Sequence, residues 1–137
     1  MSDMFGALGI AASGMAAERL RLDVTSANLA NANTTRGTDG KTYVRQEVAL
    51  QAGGVQTFSN VLTGVQVAGI VNDSSPPRRV YDPSHPDADA SGYVSLPNIN
   101  SVTEMTDLIA ESRSYEANTQ AFETAKTLFA KTIDLLR

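Results

Sequence analysis

Large apolar residues recur every seven positions at both ends of the chain. They are Leu8, Met15, Leu22 and Leu29 in the first third, and Leu108, Tyr115, Phe122, Phe129 and Leu136 in the last. A sustained seven-residue period marks helices that pack lengthwise on a neighbour, because two turns of 3.6 residues return to nearly the same face. Two further stripes, Ile10/Ala17/Val24 and Leu20/Ala27, lie beside the first. That helix is therefore apolar around most of its circumference, which implies burial on several sides. In the last third, Met105, Ala121, Ala125 and Ile133 flank the stripe, and Ser112, Thr119 and Lys126 fall at the intervening seam positions. The pattern predicts helices over 4–31 and 101–136, paired as a coiled coil.

Turn chemistry brackets these helices. Asn28, Asn31 and Asn33, with Thr34, Thr35 and Gly37, end the first. Ser101-Val102-Thr103-Glu104 fits a capping box at the start of the second, with Asn98 and Asn100 as alternative caps. The intervening stretch is rich in Pro and Gly. Thr42 to Leu50 alternates, with Val44, Val48 and Leu50 on one face, and Val65, Val67 and Val71 alternate again. Gly53-Gly54 reads as a turn, Val80-Tyr81 and Tyr93–Leu96 as short strands, and Asn72–Arg79 and Asp82–Gly92 as loops. The predicted fold is mainly α with a small β-rich insert. Residues 1–35 hold the N-terminal helix, 36–97 the β-rich and loop segment, and 98–137 the C-terminal helix. The first and last of these form one coiled-coil domain.

Charge and composition narrow the function. The 137 residues carry a net charge of −4, from 11 basic and 15 acidic side chains, which leaves no electrostatic footprint for nucleic acid. The one basic cluster, Arg78-Arg79 after Pro76-Pro77, reads as an exposed loop. With no cysteine there is neither a disulfide nor a thiolate metal site. The apolar stretch from Phe5 to Ala17 is preceded only by Asp3 and runs on in helical period through Leu22. It reads as mature helix rather than a secretory signal or a membrane span. His85, the single histidine, sits among Asp82, Asp87 and Asp89 but between two prolines, in a spacing that fits no metal loop. Ser84 and His85 are adjacent and point apart, so they form no nucleophile–base pair. Gly6, Gly9 and Gly14 precede no Lys-Ser/Thr and serve close helix approach rather than phosphate binding. No cofactor and no small-molecule substrate are expected. Burying one stripe per helix does not offset the entropy of ordering two long helices, so the helices are expected to gain order on assembly.

Three separate motifs then resemble one family. Ala12 to Leu20, running on to Asn28-Leu29-Ala30-Asn31-Ala32-Asn33-Thr34, resembles the N-terminal motif of bacterial flagellar rod and hook proteins. Glu104–Ile109, Ser114–Asn118 and Thr124–Lys126 are similar to the matching C-terminal motif. Tyr81-Asp82-Pro83-Ser84-His85-Pro86-Asp87-Ala88, followed by Gly92-Tyr93-Val94 and Pro97-Asn98, resembles the proximal-rod members in particular. The resemblance implies a structural subunit of the proximal rod, with no catalysis. Such a subunit transmits torque, forms part of the export channel wall, and crosses the periplasmic space within the basal body. It also implies export by the flagellar type III apparatus without a cleaved signal, and contacts with copies of itself and with other rod proteins. Two readings from other classes stand beside it: a soluble helical adaptor with one sticky face and, least favoured, a small hydrolase using His85.

Overall fold

Strong helix formers without proline fill the first thirty residues, and in the computed structural model they form α1 (Ser2–Ala30). The structure describes residues 2–37, 40–53 and 64–135, with side chains from residue 6 onward in α1. Two short hairpins follow. β1 (Gln46–Ala52) pairs antiparallel with β2 (Val65–Asn72), and β3 (Arg78–Tyr81) with β4 (Tyr93–Leu96). α2 (Ser101–Leu135) closes the described chain. The predicted architecture of two terminal helices around a small strand insert is thus observed. Leu136 and Gly54 lie outside the described residues.

The helices run antiparallel. Asn28 meets Glu104, Thr25 meets Glu111, and Gly14 lies against Asn118, so position falls on α2 as it rises on α1. A methyl group on Gly14 would meet the Asn118 amide at 2.9 Å, so glycine there lets the helices close. Gly9, by contrast, has open space around it.

The seam differs from the one the apolar pattern suggested. On α2 the inward residues alternate by three and four as Glu104, Leu108, Glu111, Tyr115, Asn118, Phe122, Ala125 and Phe129. The intervening row is therefore Glu104/Glu111/Asn118/Ala125. Thr119 and Lys126 are exposed and Ser112 is half-buried. On α1, Leu8, Met15, Leu22 and Leu29 are half-buried, whereas Ala17 and Val24 of the second stripe are buried along with Ala11. Small side chains take the deepest positions because close helix approach leaves room for nothing larger.

Both helix boundaries rest on asparagine. The Asn31 side chain donates to the Ala27 carbonyl at 2.9 Å, satisfying one of the acceptors a helix end leaves free, and Thr34 Oγ1 donates to Asn31 Oδ1. At the start of α2, Asn100 Oδ1 accepts the Val102 N–H at 3.0 Å and so occupies the N-cap. The capping box on Ser101 does not form, because the Glu104 carboxylate turns inward to Arg45 and Asn28.

The first hairpin is pinned along α1 at two points. Near the C-terminal end of α1, Gln46 bonds to Asn28; toward the middle of the helix, Ser13 Oγ accepts the Val65 N–H at 3.1 Å. Fifteen helical rises and seven strand residues both span about 22 Å, so the two clamps match in length. Strand β1 begins at Gln46 rather than at Thr42. Ahead of it the Thr42 hydroxyl donates to carbonyls of Thr35 and Ser95, and the Tyr43 hydroxyl donates to Asn28. A bulge between Ala49 and Leu50 sets Ala68 outside the ladder. Arg78 and Arg79 lie in β3 instead of a loop, paired with Leu96 and Ser95.

Candidate functional site

Among the described residues, the least exposed polar side chains lie where α1, α2 and the start of β1 converge. Asn28 is 1% exposed and Glu104 is 2% exposed. Asn28 Nδ2 donates to the Gln46 carbonyl at 2.8 Å and to Glu104 Oε2 at 3.2 Å. Its Oδ1 accepts the Gln46 N–H at 3.0 Å and the Tyr43 hydroxyl at 3.1 Å. An amide has two N–H donors and two acceptor lone pairs, and here all four are used. Glu104 gives its other oxygen to Arg45 Nε at 2.6 Å, and Arg45 also pairs with Glu47. Burial raises the Tyr43 hydroxyl above its ordinary pKa, and the negative Glu104 adds to this. Burial alone would lower Arg45, but hydrogen bonds to the Glu104 and Glu47 carboxylates outweigh it and hold the guanidinium above its usual value.

Two turns of helix further along, the seam carries a second acid. Glu111 Oε1 accepts from Thr25 at 3.1 Å and lies 3.3 Å from Arg21, which also pairs with Glu18. Glu111 Oε2 is buried with no hydrogen-bond partner. Burial pushes the Glu111 carboxyl up, a push that the Thr25 hydrogen bond and the Arg21 charge oppose and the Glu18 and Asp107 charges reinforce. A polar cavity of about 270 Å³ opens beside this cluster, lined by Arg21, Thr25, Arg45, Glu47, Asp107 and Glu111.

The loop between β3 and β4 is a self-supporting turn. The Asp82 N–H donates to the Gly92 carbonyl, and Asp82 Oδ1 accepts both the N–H and the hydroxyl of Ser84. Asp89 Oδ1 accepts the N–H groups of Ser91 and Tyr93. These bonds hold Asp82 and Asp89 below the usual carboxylate range, chiefly through the Ser84 hydroxyl for the first and the Tyr93 N–H for the second. His85 Nδ1 accepts the Asp87 N–H at 3.1 Å, so the ring is an element of the turn. Pro83 and the Tyr81 ring pack on Gly92, whose φ of +79° suits glycine. Tyr81 meets Tyr93 edge-on with ring centres 5.3 Å apart, and Arg79 lies over the Tyr93 ring. Asp87 fastens the turn to the segment after α1, accepting from Thr35 at 2.8 Å and pairing with Arg36 at 3.3 Å.

The motif residues singled out in the sequence therefore have separate roles. Asn28 is the hub, Asn31 and Thr34 end α1, and Tyr81, Asp82, Pro83 and His85 build the hairpin turn; Asn33 and Pro86 are exposed. Of the network residues, the sequence marks Glu104 as a helix-capping residue and Asp87 as part of the turn motif, whereas Tyr43, Arg45 and Glu111 carry no local signal.

Polar groups spent in this way, on joining helices and hairpins, describe a two-helix, two-hairpin architecture tied together by buried polar contacts. Comparison with known proteins names its family. Residues 8–37 match the family described as "Flagella basal body rod protein", and residues 90–135 match "Flagellar basal body rod FlgEFG protein C-terminal". The chain is 38% identical to the flagellar basal-body rod protein FlgC of Borreliella burgdorferi, over 98% of both chains. It is 40% identical to the protein of that name from Bacillus subtilis, over 96% of this chain and 97% of the relative. The Salmonella typhimurium FlgC is also 40% identical, over 92% of each. The chain belongs to the FlgC family of flagellar basal-body rod proteins, a structural family of the motility organelle.

Proposed function

We propose that the chain is a subunit of the proximal rod, that its helix pair forms a coiled coil lining the rod, and that packed copies transmit torque and form part of the export channel wall. One observation supports this reading above others. Among the described residues, the buried apolar set is Ala11, Ala17, Val24, Ala32, Val94 and Ile99, while Val102, Met105, Ile109, Leu128, Ile133 and Leu135 of α2 are exposed. Val102, Met105 and Ile109 recur at helical spacing on the side opposite the α1 seam, so α2 offers a second apolar face. A subunit in a polymer needs more than one such face, because its contacts are heterologous. Its partners on this reading are copies of itself and other rod proteins. Delivery is by the type III export apparatus without a cleaved signal, into the periplasmic span of the basal body. No described helix is long and apolar enough to cross a membrane.

Residues 1–35 and 98–137 then act as one axial unit, and 36–97 faces outward or toward neighbouring subunits. The heptad residues Leu8, Met15, Leu22, Leu29, Leu108, Tyr115, Phe122, Phe129 and Leu136 serve packing within that unit and between copies. The polar network anchors one end of the helix pair. The other end, where residues 130–135 are all exposed, becomes ordered on assembly. The test is complementation of a strain lacking this gene. Wild type and Lys41→Ala restore swimming and complete basal bodies, whereas Ile109→Asp, Leu22→Asp and Phe122→Asp leave rings without rod or hook. Complete rods with charge at all three positions would overturn the reading.

A further inference from the structure

We propose that Glu111, held by Thr25 and Arg21 with the like charge of Glu18 beyond, is a proton-operated clasp between the two helices: the pair tightens when Glu111 takes a proton and loosens when it ionises. The geometry is asymmetric. Both donors, Thr25 and Arg21, reach Oε1, while Oε2 is the one buried side-chain polar atom among the described residues without a partner. Ionisation puts half of the charge on an oxygen that no donor meets, in a residue only 4% exposed. Arg21 does not fully compensate, because it also pairs with Glu18 and is itself partly solvated.

The charged surroundings are mixed on every side. Helix α1 presents Glu18 and Arg21, α2 presents Asp107 one turn away, and across the cavity stand Arg45, committed to Glu104, and Glu47. Three carboxylates thus face Glu111 or its cavity against two guanidinium groups that are already engaged. The raised pKa of Glu111 agrees with this geometry. For a carboxyl raised on folding, the stability it contributes is fully present below its unfolded-state pKa of about 4.3, and is lost as pH rises through the higher folded-state value.

The test compares full-length wild type with Glu111→Gln by urea unfolding from about pH 4 to about pH 8. The variant keeps the shape of the protonated side chain and cannot ionise. Its folded-to-unfolded ratio should gain on wild type as pH rises, by about tenfold for each pKa unit by which Glu111 is raised. Glu18→Gln, which frees Arg21 for Glu111, should flatten the wild-type dependence, and Arg21→Gln should steepen it. The Glu111 Cδ resonance of wild type provides a reading that needs no variant to fold, and it should titrate above the ordinary glutamate range. Parallel stability curves, a Glu111→Gln chain that is less folded at every pH, or a Glu111 that titrates at or below the ordinary value would each overturn the proposal.

Discussion

Replacing Asn28 with alanine removes all four hydrogen bonds of the hub at once. The losses are the two bonds to the Gln46 backbone, the Tyr43 hydroxyl bond and the bond to Glu104 Oε2. A bond in such a network is worth about 0.5–1.5 kcal/mol net, and an orphaned buried partner costs more than a solvated one. Gln46 and Tyr43 are half-buried and can recover water, and Glu104 keeps Arg45. The sum is a loss of about 3–5 kcal/mol. A typical domain has about 5–15 kcal/mol in total, and this chain, with no buried leucine or phenylalanine among its described residues, belongs at the low end. Asn28→Ala should therefore remove most of the stability and lower the melting point by about 10–15 °C. Urea titration followed by far-UV circular dichroism at 222 nm reads this directly. Asn28→Asp provides the electrostatic control. It replaces a donor with a carboxylate about 3 Å from Glu104, and the like-charge repulsion should make it less stable than Asn28→Ala. Unfolding curves for Asn28→Ala within about 1 kcal/mol of wild type would refute the view that this hub joins helix to hairpin.

Other substitutions probe single contacts. Gly14→Val should push the helices apart by crowding Asn118, and combining it with Asn118→Ala should recover part of the loss in a double-mutant cycle of melting temperatures. Gly92→Ala should destabilise the β3–β4 hairpin by about 1–2 kcal/mol, since its φ is positive and the Tyr81 ring leaves no room; amide exchange at Val80 and Val94 would report it. Acid should open the same turn. The lowered pKa values of Asp82 and Asp89 stabilise it above the unfolded-state pKa, and that stability is lost as pH falls through the folded-state values, visible in the Ser84 and Tyr93 amide shifts. His85→Ala deletes only the acceptor for the Asp87 N–H, so swimming should persist and stability should fall by no more than about 1 kcal/mol.

Much of the fold was legible because it depends on local rules. Seven-residue spacing marked both helices, alternation marked the strands that became β1 and β2, and asparagine-rich turns marked where α1 stops. The candidate site was only half legible. Asn28 stood out within a motif, but its partners Tyr43, Gln46 and Glu104 lie 15, 18 and 76 positions away, and no local pattern ties them together. Glu104 is a case in which two local readings competed. Beside Ser101 it looked like a capping residue, yet the half-buried Arg45 guanidinium offered its carboxylate a stronger partner than a solvent-exposed backbone N–H, and Asn100 took over the cap.

The sequence alone determined where the two helices and the cores of the first hairpin's strands form and that the first helix is apolar on more than one side, since backbone preference and side-chain period act over a few residues. Tertiary structure alone decided which row of α2 enters the seam. From Leu108 the next inward residue stands either three or four positions on, and hydrophobicity favoured Ser112 over the charged Glu111. Glu104 entered because Arg45 and Asn28 converge from distant parts of the chain to receive both of its oxygens, and Glu111 follows one heptad on, where Thr25 and Arg21 meet only one. A charge is buried where its partners are, and only the fold brings those partners together.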